Sequence, residues 1–146
     1  MTRGVPRCER SGVITTRATL PFPDRLLAIH DALAALLEEM RPDEVAVESA
    51  FVRKSASAAL QLGHVRGVIL LAAKRSGASI YEYTAPEVKM AVVQNGAAHK
   101  EQVAFMVRQL LPGLAAVRED EADALAVALC HAQRGPARAL GIAGRR

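Results

Sequence analysis

A short β-branched run near the middle of the chain, Val45–Val47, most limits how this sequence can fold. It follows an Arg-Pro break and predicts a buried strand, and the acidic residue Glu48 comes directly after it. In open α/β sheets, ligands and catalytic groups collect at the carboxyl ends of strands. Glu48 is therefore a candidate catalytic residue, and the alternative is an acid at a solvated strand end.

Segments typical of strands alternate with segments typical of helices, which predicts an α/β fold. Strands are predicted at 12–18, 44–48 and 79–83, with the last of these closing the sheet. A helix opened by two prolines and ending before Pro42 is predicted first. Further helices are predicted at 57–75, 86–93, 101–111 and 119–133.

The length of 146 residues and the hydrophobic content of 51% predict one globular domain with a substantial core. We expect that domain at 12–133, after an irregular segment at 1–11 and before a basic tail at 134–146. The net charge of +4 favours a polyanionic partner, although charge alone does not separate nucleic acid from a membrane surface or from a merely basic protein.

Three features of the sequence predict a soluble, cytoplasmic protein. Cys8 and Cys130 lack metal-type spacing and predict reduced thiols. The longest unbroken apolar run, Val68–Ala73, is too short to span a bilayer. The N-terminal residues lack the hydrophobic segment of a signal peptide.

Two acidic residues, Asp120 and Asp123, fall three positions apart at the start of the last predicted helix. That spacing places both carboxylates on one helix face, with Cβ atoms about 5–6 Å apart. One interpretation is that they complement the positive end of the helix dipole. The other is that, together with Glu48, they supply the hard oxygen ligands of a Mg²⁺ or Mn²⁺ site.

Gly63 and Gly67 share one face of the helix predicted at 57–75. Glycine inside a helix is about 1 kcal/mol less favourable than alanine, so such a pair usually marks the close approach of another backbone. The spacing leaves two alternatives open for that neighbour, the sheet of this domain or a second subunit.

Three segments of the chain together resemble the RuvC family of Holliday junction resolvases, in spacing and in order. They are ESAFVRKSASAALQLGHVRGV, YTAPEVKMAVVQNGAAHKEQVAFMV and DEADALAVALCHA. The resemblance implies a ribonuclease H-like mixed sheet flanked by helices, a homodimer, and Mg²⁺-dependent paired nicking of four-way DNA junctions, with Mn²⁺ as an alternative metal. It also implies a branch-migration motor complex as a partner.

Carried over by position, the resemblance implies roles for particular residues. Glu48 and Asp123 match metal-binding carboxylates, and Asp120 matches a position that is Asp or His in the family. Phe51 matches an aromatic residue that stacks or wedges at the junction centre. The resemblance also places two lysines near the scissile phosphate, Lys89 and Lys100.

Basic residues fall in predicted loops or helix starts on the side of Glu48, namely Arg53, Lys54, Lys89 and Lys100. They predict either a solvated surface or a track for DNA phosphates. Phe51 lies between the strand and two of these cations, so we expect it to be exposed and to stack on bases. The alternative is burial against the following helix.

The sequence departs from the family pattern in one respect. Resolvases of this family begin with a hydrophobic strand that runs into an Asp-Pro-Gly motif, whose aspartate is a metal ligand. No aspartate precedes Asp24 in this sequence. Either the true start lies upstream, which we favour because the other acidic positions are kept, or the chain is a catalytically impaired junction-binding dimer. As written, the sheet lacks its first strand.

Overall fold

The described residues form an α/β fold with five helices and a parallel sheet, which confirms the predicted fold class. The structure is a computed structural model and describes residues 5–49, 55–114 and 116–139, with side chains as far as 134. The elements in chain order are α1 (Phe22–Met40), β1 (Glu44–Ser49), α2 (Ala56–Arg75), β2 (Ser79–Thr84), α3 (Ala85–Val93), α4 (Lys100–Leu110) and α5 (Glu119–Ala139).

β1 and β2 are neighbours in a parallel sheet, and α2 forms the crossover between them. At the start of the pair, the Ser79 amide donates a hydrogen bond to the Asp43 carbonyl at 2.9 Å. Both strands were predicted, and their bounds are confirmed to within one residue at each end. The predicted burial of Val45–Val47 is wrong, because these residues are only half-buried. The direction of β1 puts Glu48 at its carboxyl end, as predicted.

The strand predicted at Gly12–Ala18 is wrong, because this segment forms no strand ladder in the described structure. The chain turns directly after it, where the Leu20 amide donates to the Arg17 carbonyl at 3.2 Å. β-branched residues favour extended backbone, but a strand also needs a partner edge for its amides and carbonyls. Here a side chain contacts the segment instead, with Arg25 Nε donating to Thr16 Oγ1 at 2.9 Å.

The helix ends follow local chemistry. α1 stops because Arg41 adopts a left-handed conformation with φ 44°, and its amide donates to the Leu37 carbonyl. α3 begins with a capping box between Thr84 and Glu87. α5 continues to Ala139 rather than ending at Gln133, so the predicted tail at 134–146 begins within a helix.

The contacts divide the chain into two compact units. The first unit is Ile14–Tyr81, in which α1 packs on α2 around Leu37 and the small residues of α2. The second unit joins Met1–Val13 to Glu82–Arg146, and in it α3, α4 and α5 pack together. Its buried residues include Tyr83, Val88, Val92, Val103, Val107, Leu125, Ala126, Leu129 and Cys130. A single domain over 12–133 stays a prediction.

In the described part of the chain, one helix has the length and composition that a membrane span requires, namely α2. Length and composition alone do not distinguish a span from an apolar helix that packs on protein. One face of α2 packs on α1. Its other face exposes Leu60 and Leu71, which are 63% and 56% exposed.

Candidate active site

The first turn of α5 carries the two aspartates singled out in the sequence. Asp120 is exposed and Asp123 is partly exposed, so both carboxylates are open to solvent. Their spacing on a regular helix puts them on the same face, as predicted. Their position also suits the positive end of the helix dipole, so the local structure is consistent with both interpretations.

A lysine from a different helix lies against this turn. Lys100 is the first residue of α4, and its Nζ lies 2.5 Å from Glu119 Oε1 and 3.7 Å from Asp123 Oδ2. α4 packs on α5, which brings the two helix starts close together. The start of α4 is fixed by Gln102, whose side-chain oxygen accepts a hydrogen bond from the His99 amide at 2.8 Å. The structure thus places a predicted DNA-binding lysine beside a predicted metal ligand.

The electrostatics of this turn follow from these contacts. The hydrogen bond to Glu119, and then the charge of Asp123, raise the pKa of the Lys100 ammonium. The same hydrogen bond lowers the pKa of Glu119. On the neighbouring residue Glu121, hydrogen bonds from the Ser11 hydroxyl and then the Arg118 amide lower the pKa of the carboxyl. At neutral pH the Lys100 ammonium is therefore charged, and so are the carboxylates of Glu119 and Glu121.

Glu48 is the exposed penultimate residue of β1. Its backbone carbonyl accepts a hydrogen bond from the Arg66 guanidinium on α2 at 3.3 Å. This contact connects the end of β1 to the crossover helix within the first unit. An arginine inside an apolar helix therefore helps to fix the strand end from which Glu48 projects.

The structure does not bring all the predicted residues into one described site. Glu48 belongs to the first unit, whereas both aspartates belong to the second. Among residues 5–49, 55–114 and 116–139, no group of three or more His, Cys, Asp or Glu side chains has the arrangement of a metal site. The convergence of the three carboxylates stays a prediction.

One of the remaining predicted residues lies on α3, and the others fall outside the described residues. Lys89 is half-buried on α3. Three predicted DNA-contacting residues fall outside the described residues, namely Phe51, Arg53 and Lys54. Their roles stay predictions.

A cavity of about 650 Å³ in the first unit lies away from Glu48. It is lined by the ends of α1 and α2 and by Asp43, which precedes β1. Glu48 lies at the opposite, carboxyl end of that strand. The cavity is therefore not the candidate active site, because catalytic groups of open α/β sheets collect at the carboxyl ends of strands.

The family model described as crossover junction endodeoxyribonuclease RuvC matches residues 3–131. The chain belongs to the RuvC family. A RuvC of Acidiphilium cryptum is 54% identical over 121 residues, which cover 83% of this chain and 72% of that protein. A RuvC of Granulibacter bethesdensis is 49% identical over 127 residues, covering 87% of this chain and 71% of that protein.

Solved RuvC structures share the fold. The Thermus thermophilus RuvC structure is 35% identical and superposes with a TM-score of 0.81, covering 90% of this chain and 80% of that one. The same protein in complex with a Holliday junction substrate gives a TM-score of 0.83, with 35% identity and coverage of 90% and 81%. The predicted ribonuclease H-like architecture is thereby confirmed.

Two residues near the candidate site were missed by the sequence analysis, Glu119 and Arg66. Glu119 belongs to an acidic run that is typical of any helix start, and its partner Lys100 is on another helix. Arg66 interrupts the apolar face of α2, but sequence spacing does not show that it reaches the Glu48 carbonyl. The charge of Arg66 within a largely apolar stretch of α2 was the available signal for it.

Proposed function

We propose that this RuvC-family chain is a crossover junction endodeoxyribonuclease that hydrolyses phosphodiesters at four-way DNA junctions in recombination and repair. The observation that carries the proposal is the family match over residues 3–131. The RuvC solved in complex with a Holliday junction substrate supports the choice of substrate, because this chain shares its fold.

We propose Mg²⁺ as the metal, with Mn²⁺ as an alternative, and Glu48, Asp120 and Asp123 as its ligands. Hard carboxylate oxygens suit these cations, and Asp120 and Asp123 already share one open face. When bound, such a cation supplies an activated water and stabilises the leaving oxygen of a phosphodiester.

Basic residues are proposed to hold the DNA. Lys89, Lys100, Arg53 and Lys54 would contact phosphates, which gives affinity without sequence readout. Phe51 would stack on bases at the junction centre, where one aromatic contact contributes roughly 1–3 kcal/mol per base.

The site of action proposed for such an enzyme is the cytoplasm. A branch-migration motor as partner is supported by the family alone.

Binding selectivity tests the choice of substrate. With a divalent-metal chelator present, the chain should bind a four-way junction at least tenfold more tightly than a linear duplex of the same arm sequence. Both affinities should fall with salt, because phosphate contacts release counterions. Equal affinity for the two DNAs in an electrophoretic mobility shift would contradict the proposed substrate.

We propose a homodimer through the outer face of α2. A Cβ added at Gly63 or Gly67 would meet no atom of the described chain within 4 Å. The described chain thus offers no close neighbour for this face, which favours a second subunit among the two alternatives. The exposed Leu60 and Leu71 flank the glycines on the same face. A two-fold dimer would present two sites to a two-fold junction.

Gly67→Leu is expected to convert the dimer into a monomer, because a bulky side chain would prevent the close approach of two α2 helices. The change should not unfold the monomer, since leucine favours helix more than glycine does. Sedimentation velocity measures the outcome, with Ala128→Leu on an exposed position of α5 as the matched control. A wild-type chain that remains monomeric at its highest soluble concentration would contradict the dimer.

A further inference from the structure

The contact between Lys100 and Glu119 joins two helix starts. Lys100 is the first residue of α4 and Glu119 is the first residue of α5. The ammonium is closer to Glu119, at 2.5 Å, than to Asp123, at 3.7 Å. Glu119 is therefore the direct hydrogen-bond partner of the ammonium, and Asp123 is its next-nearest carboxylate.

This pair is poorly suited to stabilise the fold. Both side chains are largely exposed, at 63% and 66%, and exposed ion pairs contribute little to stability. A cation at the first position of α4 also lies at the positive end of that helix, which is electrostatically unfavourable. The contact is better explained by where it places the ammonium than by the stability that it adds.

A lysine side chain needs an anchor to occupy one position. Its four-carbon stem is flexible, and its ammonium is strongly hydrated. The separation of 3.7 Å from Asp123 allows attraction but exceeds an ordinary N–H···O hydrogen bond. Within the described residues, the short hydrogen bond that Lys100 donates to Glu119 is thus what restrains its ammonium beside the first turn of α5.

We propose that Glu119 is a positioning residue of the junction-cleaving site, which anchors the Lys100 ammonium beside Asp123 where it meets a phosphate of the bound DNA. The inference rests on the proposed function, because it assumes that a DNA phosphate reaches this turn. Glu119 acts through Lys100 and contacts no reacting atom. Its own negative charge opposes DNA binding, so its effect on cleavage and its effect on affinity have opposite signs.

Glu119→Ala should lower the single-turnover cleavage rate at saturating junction by about tenfold, since misplaced groups lose rate steeply with distance. Junction affinity should be unchanged or higher, because one negative charge has been removed from the DNA-facing turn. Glu119→Gln should recover part of the rate, because its amide oxygen still accepts a hydrogen bond from Lys100. Lys100→Ala should lower the rate and also weaken DNA binding.

Glu101→Ala is the matched control. Glu101 is exposed on the first turn of α4, next to Lys100, so its removal changes the net charge equally. This control should cleave at the wild-type rate. Thermal melting of every variant should stay at the wild-type temperature. A Glu119→Ala rate equal to that of Glu101→Ala, or one restored by raising the junction concentration, would overturn the proposal.

A second measurement tests the anchor without cleavage. In lysine-selective ¹H–¹⁵N NMR spectra, assigned with Lys100→Arg, the Lys100 ammonium should give a resonance distinct from those of freely exposed lysines. Glu119→Ala should shift this resonance to the position of the free lysines, whereas Glu101→Ala should not. If the wild type binds junctions but does not cut them, the proposed function fails. If the Lys100 resonance does not shift in Glu119→Ala, the proposal that Glu119 anchors Lys100 is refuted.

Discussion

Asp123→Asn is expected to abolish junction cleavage while leaving junction binding intact. The neutral amide would lose most of the affinity of this position for a divalent cation, because hard cations prefer charged oxygen ligands. Loss of several kcal/mol of transition-state stabilisation corresponds to a rate decrease on the order of a thousandfold or more. Single-turnover cleavage of a labelled junction measures the rate.

The fold should tolerate this change, since the Asp123 side chain is 38% exposed. The affinity of this variant for the junction should be unchanged or higher, because a negative charge is removed. Glu101→Gln, an exposed carboxylate-to-amide change on the first turn of α4, is the matched control and should keep the wild-type rate. Cleavage by Asp123→Asn at a rate near that of the control would remove Asp123 from the proposed ligands.

Tyr83→Ala is expected to produce the largest loss of stability. Tyr83 is fully buried at the end of β2, and its hydroxyl lies 2.7 Å from His131 Nδ1 on α5. Its ring also lies 5.8 Å from the imidazole, centroid to centroid. Removing a buried aromatic side chain decreases the free energy of unfolding by about 3–5 kcal/mol. For a chain of this size, the melting temperature should fall by roughly 10 °C or more.

Tyr83→Phe separates the hydrogen bond from the packing. It keeps the ring and removes the hydroxyl, so the expected loss is only about 0.5–1.5 kcal/mol. Tyr81→Ala changes a half-buried residue two positions earlier on the same strand. It should decrease the free energy of unfolding by less than Tyr83→Ala does. Denaturant unfolding measures all three variants. If Tyr81→Ala and Tyr83→Ala decreased the free energy of unfolding equally, the contact of Tyr83 with α5 would not be what stabilises this end of β2.

The βαβ unit and the five helices could be predicted from the sequence because each is encoded locally. β-branched runs, proline and glycine breaks and apolar periodicity act within a few residues. The strand predicted at Gly12–Ala18 failed because a strand also needs a partner edge, which local composition does not encode. α5 runs past its predicted end, because the Gly-Pro pair was interpreted as the end of the helix and the helix continues through it to Ala139.

Part of the candidate site could also be predicted, because it too is encoded locally in the sequence. Asp120 and Asp123 could be placed on one face from their spacing alone, since both belong to one helix. Their closeness to Lys100 could not be predicted from spacing, because it depends on how α4 packs on α5. Of the acids at this helix start, the one bonded most closely to Lys100 is Glu119, which no spacing rule distinguishes from its neighbours.

Paired cleavage of a four-way junction tests the central claim most directly. The purified protein, extended upstream to include the favoured start with its Asp-Pro-Gly motif, is mixed in Mg²⁺ with a junction labelled in turn on each strand and with a linear duplex of the same sequence. The account predicts nicks at symmetric positions in two opposing strands of the junction and none in the duplex, with cleavage lost when the metal is chelated. Tight junction binding without nicks in Mg²⁺ or Mn²⁺, or equal cutting of both DNAs, would contradict it.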